Sequence, residues 1–439
     1  MALGMLEIGL LVCIVAILFG PAVIKKFKKY QNMYLKRNKR LQKVVAQRRA
    51  ERLAQEKIRN AKIKMVVFSV LGAILLSSVL YLAVWPLPMQ VNAYAQGTQG
   101  AVDAEVYSVA SVSSTDQTLS IEGYQNITQI RYYNDWIYAA AEGGKIIRIR
   151  ENGTGLTELV STGGEIMSFD FDAENNIIFT DALYDDTGGA LLMASFDGFA
   201  VTVEPLLSYS AGDGLSYPTG VAVAADGMIY ILNATDISAV ECGGTLAALR
   251  TAQTAHSQDG VLYAYDPTTG SCEVMVSGLC FGAGLALCAQ EDVLYISQFT
   301  DSSVWSVSVD TRAQTLGAVG TVLICEGLAG YPAGLSVAED GTLWVALSAT
   351  QMSWFESLSA LPAWREVLLR LPQGTRDALL QYNGKGLAVA LDAEGNFVAS
   401  YAGDGSKGLN MLTSVSQIGD CLYFAQANKN ETIGFFVLE

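Results

Sequence analysis

The chain has 439 residues, 51% of them apolar and only 16% charged, which allows two or three domains and excludes a disordered chain or a coiled coil. Its formal net charge of −15 argues against nucleic acid as a partner. A single histidine, His256, excludes a three-His zinc site, a His pair and an HExxH helix.

Charge is segregated along the chain. Residues 25–64 hold 16 Lys/Arg against 2 acids, whereas everything from Met65 onward holds 12 basic against 40 acidic residues. A basic block beside a strongly acidic remainder fits a chain divided by a membrane. Residues 8–24 and 65–86 are uncharged apolar runs, each near the roughly 20 residues that cross a bilayer. In the first run the charges follow the apolar stretch and no small-residue cleavage site closes it, which favours a span over a signal peptide. The expectation is therefore two transmembrane helices, at 1–24 and 65–86. The positive-inside rule puts residues 25–64 in the cytoplasm, and the N-terminus and the acidic remainder outside a cell membrane. Within the basic loop, Leu41, Val44, Val45, Leu53 and Ile58 fall near helical spacing. That reads as a solvated, topology-setting helix, with contact to anionic lipid as the alternative.

Residues 87–118 are small and polar and read as a linker leading into the next domain. Beyond it an acidic or Gly/Asn turn, followed by a short strand bearing an aromatic, recurs six times. Asp226-Gly227-Met228-Ile229-Tyr230 is one copy. The aromatics are Tyr138, Phe179, Tyr230, Tyr295, Trp344 and Tyr423, with steps of 41, 51, 65, 49 and 79 residues. Six copies at blade-sized spacing predict an all-β, six-bladed β-propeller over 119–439. The two longest steps hold insertions. Residues 236–257 are rich in Ala, Thr and Gly and read as a loop containing His256 as an exposed residue. Residues 352–372 place Trp364, Val367, Leu368 and Leu371 at i, i+3, i+4 and i+7 between Pro362 and Pro372, the pattern of a short amphipathic helix packed on the propeller. A lid over the central pocket and a membrane contact are its alternatives.

The remaining signals are weak. Six cysteines follow the apolar runs (Cys242, Cys272, Cys280, Cys288, Cys325, Cys421), and sequence cannot choose between buried thiols and any of 15 pairings. No CxxC spacing supports a redox or zinc motif. Four glycosylation sequons begin at Asn126, Asn152, Asn233 and Asn430. Asp185, Asp186 and Asp301 read as surface turn residues.

Two resemblances follow from particular motifs. Gly4 to Glu7, then Leu18-Phe19-Gly20-Pro21 and a basic stretch, is similar to the first helix of the small subunit of the twin-arginine translocase. A second span and a large outer domain depart from that family, so it implies a borrowed anchor. Residues 118–439 resemble the strictosidine synthase-like family, within the wider group of gluconolactonase-type six-bladed propellers. The resemblance rests on Gly260 to Pro267, Phe281-Gly282-Ala283-Gly284-Leu285, Tyr331-Pro332-Ala333-Gly334-Leu335, Asp340 to Leu347, Leu361 to Arg365 and Thr413 to Tyr423.

Hydrolytic members of that group hold a calcium-like cation at the channel with Glu, Asn and Asp. The resemblance places those ligand positions at Gln125, Thr219, Ala283 and Ala333, and the catalytic Glu of the plant enzyme at Thr413. All five are uncharged, and a hard cation needs anionic oxygen donors. The expectation is a non-catalytic, membrane-anchored scaffold without metal, cofactor or catalytic residues. It would bind an unidentified ligand or protein at a funnel formed by Gln125, Tyr217, Thr219, Phe281, Ala283, Tyr331, Ala333 and Thr413. The alternatives are a lactone or ester hydrolase with a rearranged site, which would gather carboxylates at the funnel, and an accessory protein of a secretion or envelope assembly.

Overall fold

The computed structural model describes residues 25–26, 29, 42–84, 87, 89–95, 110–112, 117–198, 200–382, 386–403 and 411–438. The chain forms two compact units, Met1–Pro86 and Leu87–Glu439. The first expected span, 1–24, lies outside the described residues, as does most of the basic loop before residue 42.

In the first unit a helix, α1, runs from Gln42 to Val84. No proline interrupts this stretch, so residues 42–64 of the basic segment and the second apolar run as far as Val84 form one helix with no break at residue 64. Its 27-residue portion Glu56–Leu82 contains an 18-residue stretch of mean hydropathy 2.4 and is long and apolar enough to cross a membrane. It is the one such helix among the described residues, and it covers the second of the two expected spans.

In the second unit six antiparallel sheets form the propeller. Blade 1 comprises Gln129–Tyr133, Trp136–Ala141, Lys145–Ile149 and Thr157–Ser161. Blade 2 comprises Ile166–Phe171, Ile177–Asp181, Ala190–Asp197 and Ala200–Ser208. Blade 3 comprises Pro218–Val223, Ile229–Asn233, Gly260–Asp266 and Ser271–Leu279. Blade 4 comprises Gly282–Leu287, Val293–Gln298, Ser303–Ser308 and Thr321–Cys325. Blade 5 comprises Gly330–Val337, Leu343–Thr350, Leu387–Leu391 and Phe397–Gly403. Blade 6 takes Leu412–Ile418, Cys421–Gln426 and Thr432–Val437 from the C-terminus, and its outer strand, Gln117–Ser120, from the start of the domain. That last pairing, Leu119 opposite Ile433, closes the ring. Ala110–Val112 adds a parallel edge to blade 5. Two stretches of the expected linker are thus strands of the propeller.

Each repeat aromatic falls in the second strand of its own blade, flanked by sheets on both faces. Ile177–Asp181 and Ile229–Asn233 are buried along their whole length. The first strands line the axis, and they approach closely because glycine occupies the contact points. A Cβ on Gly284 would meet the Ala333 carbonyl oxygen at 2.5 Å, and one on Gly334 would meet the Thr413 carbonyl at 2.5 Å.

Both insertions leave their blades between the second and third strands. The expected loop at 236–257 contains a helix, α2 (Thr245–Ala255). Its buried face is Ala248, Ala252 and Ala255, side chains too small to give a strong apolar period but able to bring the helix close to its neighbours. In blade 5, α3 (Ser353–Glu356), α4 (Pro362–Arg370) and α5 (Gln373–Leu379) follow one another. The amphipathic helix is where the spacing placed it, with Pro362 in its first turn. Its faces differ from the expectation, for Trp364 is 62% exposed and Arg365 is fully buried. Periodicity assigns apolar residues to the inside, whereas here backbone carbonyls inside the cap receive a guanidinium.

Candidate functional site

A cavity of about 390 Å³ lies on the axis. Its lower wall comes from the first strands of all six blades, with Gln129, Ser168, Thr219, Ala283, Ala333 and Thr413 each contributing. Thr245, Leu246 and Leu249 of α2, together with Tyr382, form its roof. The wall is largely apolar, with Met167, Phe281, Phe299 and Met411 prominent. Tyr217 meets Phe281 edge to face, with centroids 5.3 Å apart and planes at 84°. Burial and the nearby Glu165 push the Tyr217 phenol well above its usual range.

The threonine hydroxyls at the axis are committed to holding blades together. Thr219 Oγ1 donates to the Gly282 carbonyl of blade 4 at 2.7 Å. Thr413 Oγ1 donates to Ile127 at 2.6 Å, and Thr128 Oγ1 donates to Ile166 of blade 2 at 2.7 Å. Gln129 Oε1 accepts from the Phe169 N–H at 2.6 Å. These groups offer lone pairs to the cavity while their protons are already placed.

Of the expected funnel residues, Tyr217, Thr219, Phe281, Ala283, Ala333 and Thr413 line the cavity. Two do not. Gln125 lies outside the lining, and the Tyr331 side chain turns into the cap. There it donates to Glu356 at 2.7 Å and stacks on Phe299.

Sequence reasoning missed a carboxylate. Glu165, at the start of blade 2, is the one acidic residue lining the cavity among the described residues. Asp181 Oδ1 accepts the Glu165 N–H at 2.7 Å, and Thr245 Oγ1 donates to the Glu165 carboxylate at 2.8 Å. A Cβ on the preceding Gly164 would meet the Asp181 carboxylate at 2.3 Å, so glycine is required beside this anchor. Burial raises the Glu165 pKa, opposed by the Thr245 hydrogen bond. The one signal in the sequence is Gly163-Gly164-Glu165 directly ahead of an apolar strand.

His256 is also placed differently from expectation. It is 1% exposed, ends α2 in a left-handed conformation (φ 47°), and is held by burial and by Arg365 at a pKa of about 3. The six cysteines expected outside the membrane are all free thiols.

A ring of six sheets around an axial pocket, closed by a strand from the beginning of the domain, defines a six-bladed β-propeller. Residues 152–355 match the SMP-30/Gluconolactonase/LRE-like region, which supports the resemblance drawn from the motifs. A strictosidine synthase-like protein of Arabidopsis thaliana, strictosidine synthase-like 13, is 26% identical over 113 residues. That match covers 26% of this chain and 27% of the plant protein, so the chain spans about a quarter of the curated relative it matches. Among solved structures, a gluconolactonase from Xanthomonas campestris aligns over 73% of this chain and 89% of its own at 15% identity, TM-score 0.51. A luciferin-regenerating enzyme aligns over 74% and 95% at 12% identity, TM-score 0.50. At these identities the structural likeness concerns the fold.

Proposed function

We propose that this chain is a membrane-anchored, extracytoplasmic propeller that binds a small, mainly apolar molecule in its axial cavity without transforming it. One observation carries the reading: Thr219, Ala283, Ala333 and Thr413 surround the axis, and Glu165 is the lone carboxylate there among the described residues. A hard divalent cation takes 6–8 oxygen ligands, several of them anionic. One carboxylate that burial biases towards its neutral form is a poor substitute for that shell. The aromatic and methionine walls suit a ligand with little charge. Anchoring is supported by the apolar portion Glu56–Leu82, and the outer side of the membrane by the basic residues that precede it.

The test is calorimetric titration of the detergent-solubilised chain with calcium, with a screen of lactones and esters for turnover. The expected results are no calcium-dependent turnover and saturable binding of an apolar fluorescent probe that Ala283→Phe weakens. Metal-dependent hydrolysis of any member of the panel overturns the reading.

A second reading, a lactone or ester hydrolase with a rearranged site, is favoured by Glu165 alone. A carboxyl group with a raised pKa beside an apolar pocket is suited to general acid or base work. It requires metal-independent turnover that Glu165→Gln abolishes.

A further inference from the structure

We propose that His256, Cys280 and Asp301 form a binding site for a borderline divalent metal ion of the zinc type, set apart from the axial cavity. One donor atom from each residue lies within 4.8 Å of the other two, and this is the one such group among the described residues. None of the three lines the axial cavity, so this site and the proposed ligand-binding function stand or fall separately.

The three come from different parts of the second unit, at sequence separations that no metal motif carries. His256 ends α2, Cys280 follows the last strand of blade 3, and Asp301 follows the second strand of blade 4. His256 and Cys280 are 1% and 6% exposed. The second observation is an orphan: His256 Nδ1 is buried and has no hydrogen-bond partner. A buried imidazole nitrogen without a partner forfeits a hydrogen bond it would make in water, roughly 1–3 kcal/mol. A metal ion bound through that nitrogen would supply the partner.

The imidazole is also held in place from behind. Its ring is stacked on Tyr94, with centroids 3.9 Å apart and planes 15° apart. The His256 backbone N–H bonds back to the end of α2, and its carbonyl accepts from Asn92 Nδ2 at 3.1 Å. Buttressing of this kind fixes the orientation of a ligating histidine.

Donor chemistry selects the ion. One nitrogen, one thiolate sulfur and one carboxylate oxygen suit zinc, which takes all three in tetrahedral geometry, and do not suit calcium or magnesium, which need oxygen shells. Donors around a tetrahedral zinc stand about 3.3–3.7 Å apart, so closure needs only small side-chain rotations. On binding, the thiol releases its proton to solvent and the carboxyl group binds as carboxylate, so that the +2 ion faces two single negative charges. The assembly is neutral, which makes its burial tolerable where any one of these ions alone would be costly. Three protein donors leave a fourth position for water. The ion would bind α2 to the rim of blades 3 and 4, a cross-link between an insertion and the ring.

The experiment uses the full chain in detergent, stripped of metal and titrated with cobalt(II), with zinc as competitor. The expected result is one cobalt per chain with a thiolate-to-cobalt charge-transfer band that zinc displaces. Cys280→Ser removes the band although five other cysteines of the propeller remain. His256→Gln and Asp301→Asn weaken cobalt binding by at least the roughly 10–100-fold that even outer-shell partners cost. Asp301 is not fully buried, so Asp301→Asn is the variant suited to a stability readout. Zinc raises the melting temperature of the wild type and fails to raise that of Asp301→Asn. A wild type without the charge-transfer band, a band that survives Cys280→Ser, or an equal zinc-induced rise in wild type and Asp301→Asn overturns the proposal.

Discussion

Tyr94 lies flat against His256, and the two residues belong to segments 162 positions apart in sequence. The same tyrosine donates its hydroxyl to Glu356 at 2.7 Å, and the Arg365 guanidinium sits 4.9 Å from its ring centroid. Residues 89–95 thereby form a strap across the cap, with the Asn92 N–H on the Ala255 carbonyl and the Tyr94 N–H on Ser359. One side chain joins the strap, the end of α2 and the insertion of blade 5.

Replacing Tyr94 is therefore expected to loosen all three. Tyr94→Phe keeps the stacking and loses a hydrogen bond to a charged acceptor, about 1.5–3 kcal/mol. Tyr94→Ala loses in addition the ring contact, about 0.5–1.5 kcal/mol beyond its burial. Urea unfolding of the two variants, followed by intrinsic fluorescence, should place Ala below Phe and both below wild type. Equal midpoints for wild type and Tyr94→Ala would show that the strap contributes nothing to stability.

Arg365 makes a sharper prediction about side-chain shape. Its guanidinium is fully buried and donates to the Asn92 carbonyl, and at 3.4 Å to Thr254 and Ser359. These acceptors lie in three segments, a spread that a planar fork of five N–H donors can serve and a single ammonium cannot. Lysine also brings a more strongly hydrated charge into the same buried place. Arg365→Lys should thus destabilise the cap about as much as Arg365→Met, on the order of 3–5 kcal/mol as for one broken partner of a buried charge. Thermal melts of the two variants decide the matter, and a lysine variant as stable as wild type would refute the role assigned to the fork.

Much of the ring was legible because its cause is local. Each repeat pairs a tight turn with a strand whose residues are buried on both faces, and Tyr138 to Tyr423 mark one such strand per blade. Pro362 likewise announced α4 through its fixed φ. The cap was not legible, for reasons visible in its residues. Ala248 and Ala252 bury well without a strong periodic signal, and they left α2 reading as a loop. Arg365 and His256 are polar residues whose burial depends on partners distant in the chain, which no window of sequence contains. Glu165 likewise depends on partners distant in the chain, Asp181 and Thr245.

Glu165 predicts a pH dependence. Its pKa in the folded chain is raised from the ordinary 4.5. Well below 4.5 both folded and unfolded chains hold the proton, and the site costs nothing. As pH rises past 4.5 the unfolded chain releases its proton first, so the folded state binds more protons and stability falls until the raised value is passed. Glu165→Gln cannot ionise and escapes that loss, while its amide oxygen still accepts from Thr245. The variant should match wild type near pH 4 and be the more stable of the two at pH 8, in paired urea titrations. A difference that is constant with pH would mean that the carboxyl titrates as it does in the unfolded chain.

The axis itself gives the last prediction. Gly284 packs where blades 4 and 5 meet, and a methyl group there would meet the Ala333 carbonyl oxygen at 2.5 Å, the Leu335 nitrogen at 2.8 Å and the Gly334 Cα at 2.9 Å. All three are backbone atoms, so no side-chain rotation relieves the clash and one inner strand has to shift. The neighbouring Ala283 carries its side chain into the cavity, and Thr219 donates across the adjacent seam to Gly282. A shift at 284 is therefore transmitted to the pocket as well as to the ring. Gly284→Ala should cost about 1–3 kcal/mol, the range for overpacking a filled core, and weaken binding of the apolar probe. Gly341→Ala provides the contrast. That glycine has φ 88° and nothing within 4 Å of its Cβ position, so its cost is backbone strain alone and the cavity is untouched. Melting temperature and probe affinity measured on both variants separate the two effects: Gly284→Ala lowers both, and Gly341→Ala lowers only the first. A Gly284→Ala protein with wild-type affinity would mean that the inner strands do not set the shape of the cavity.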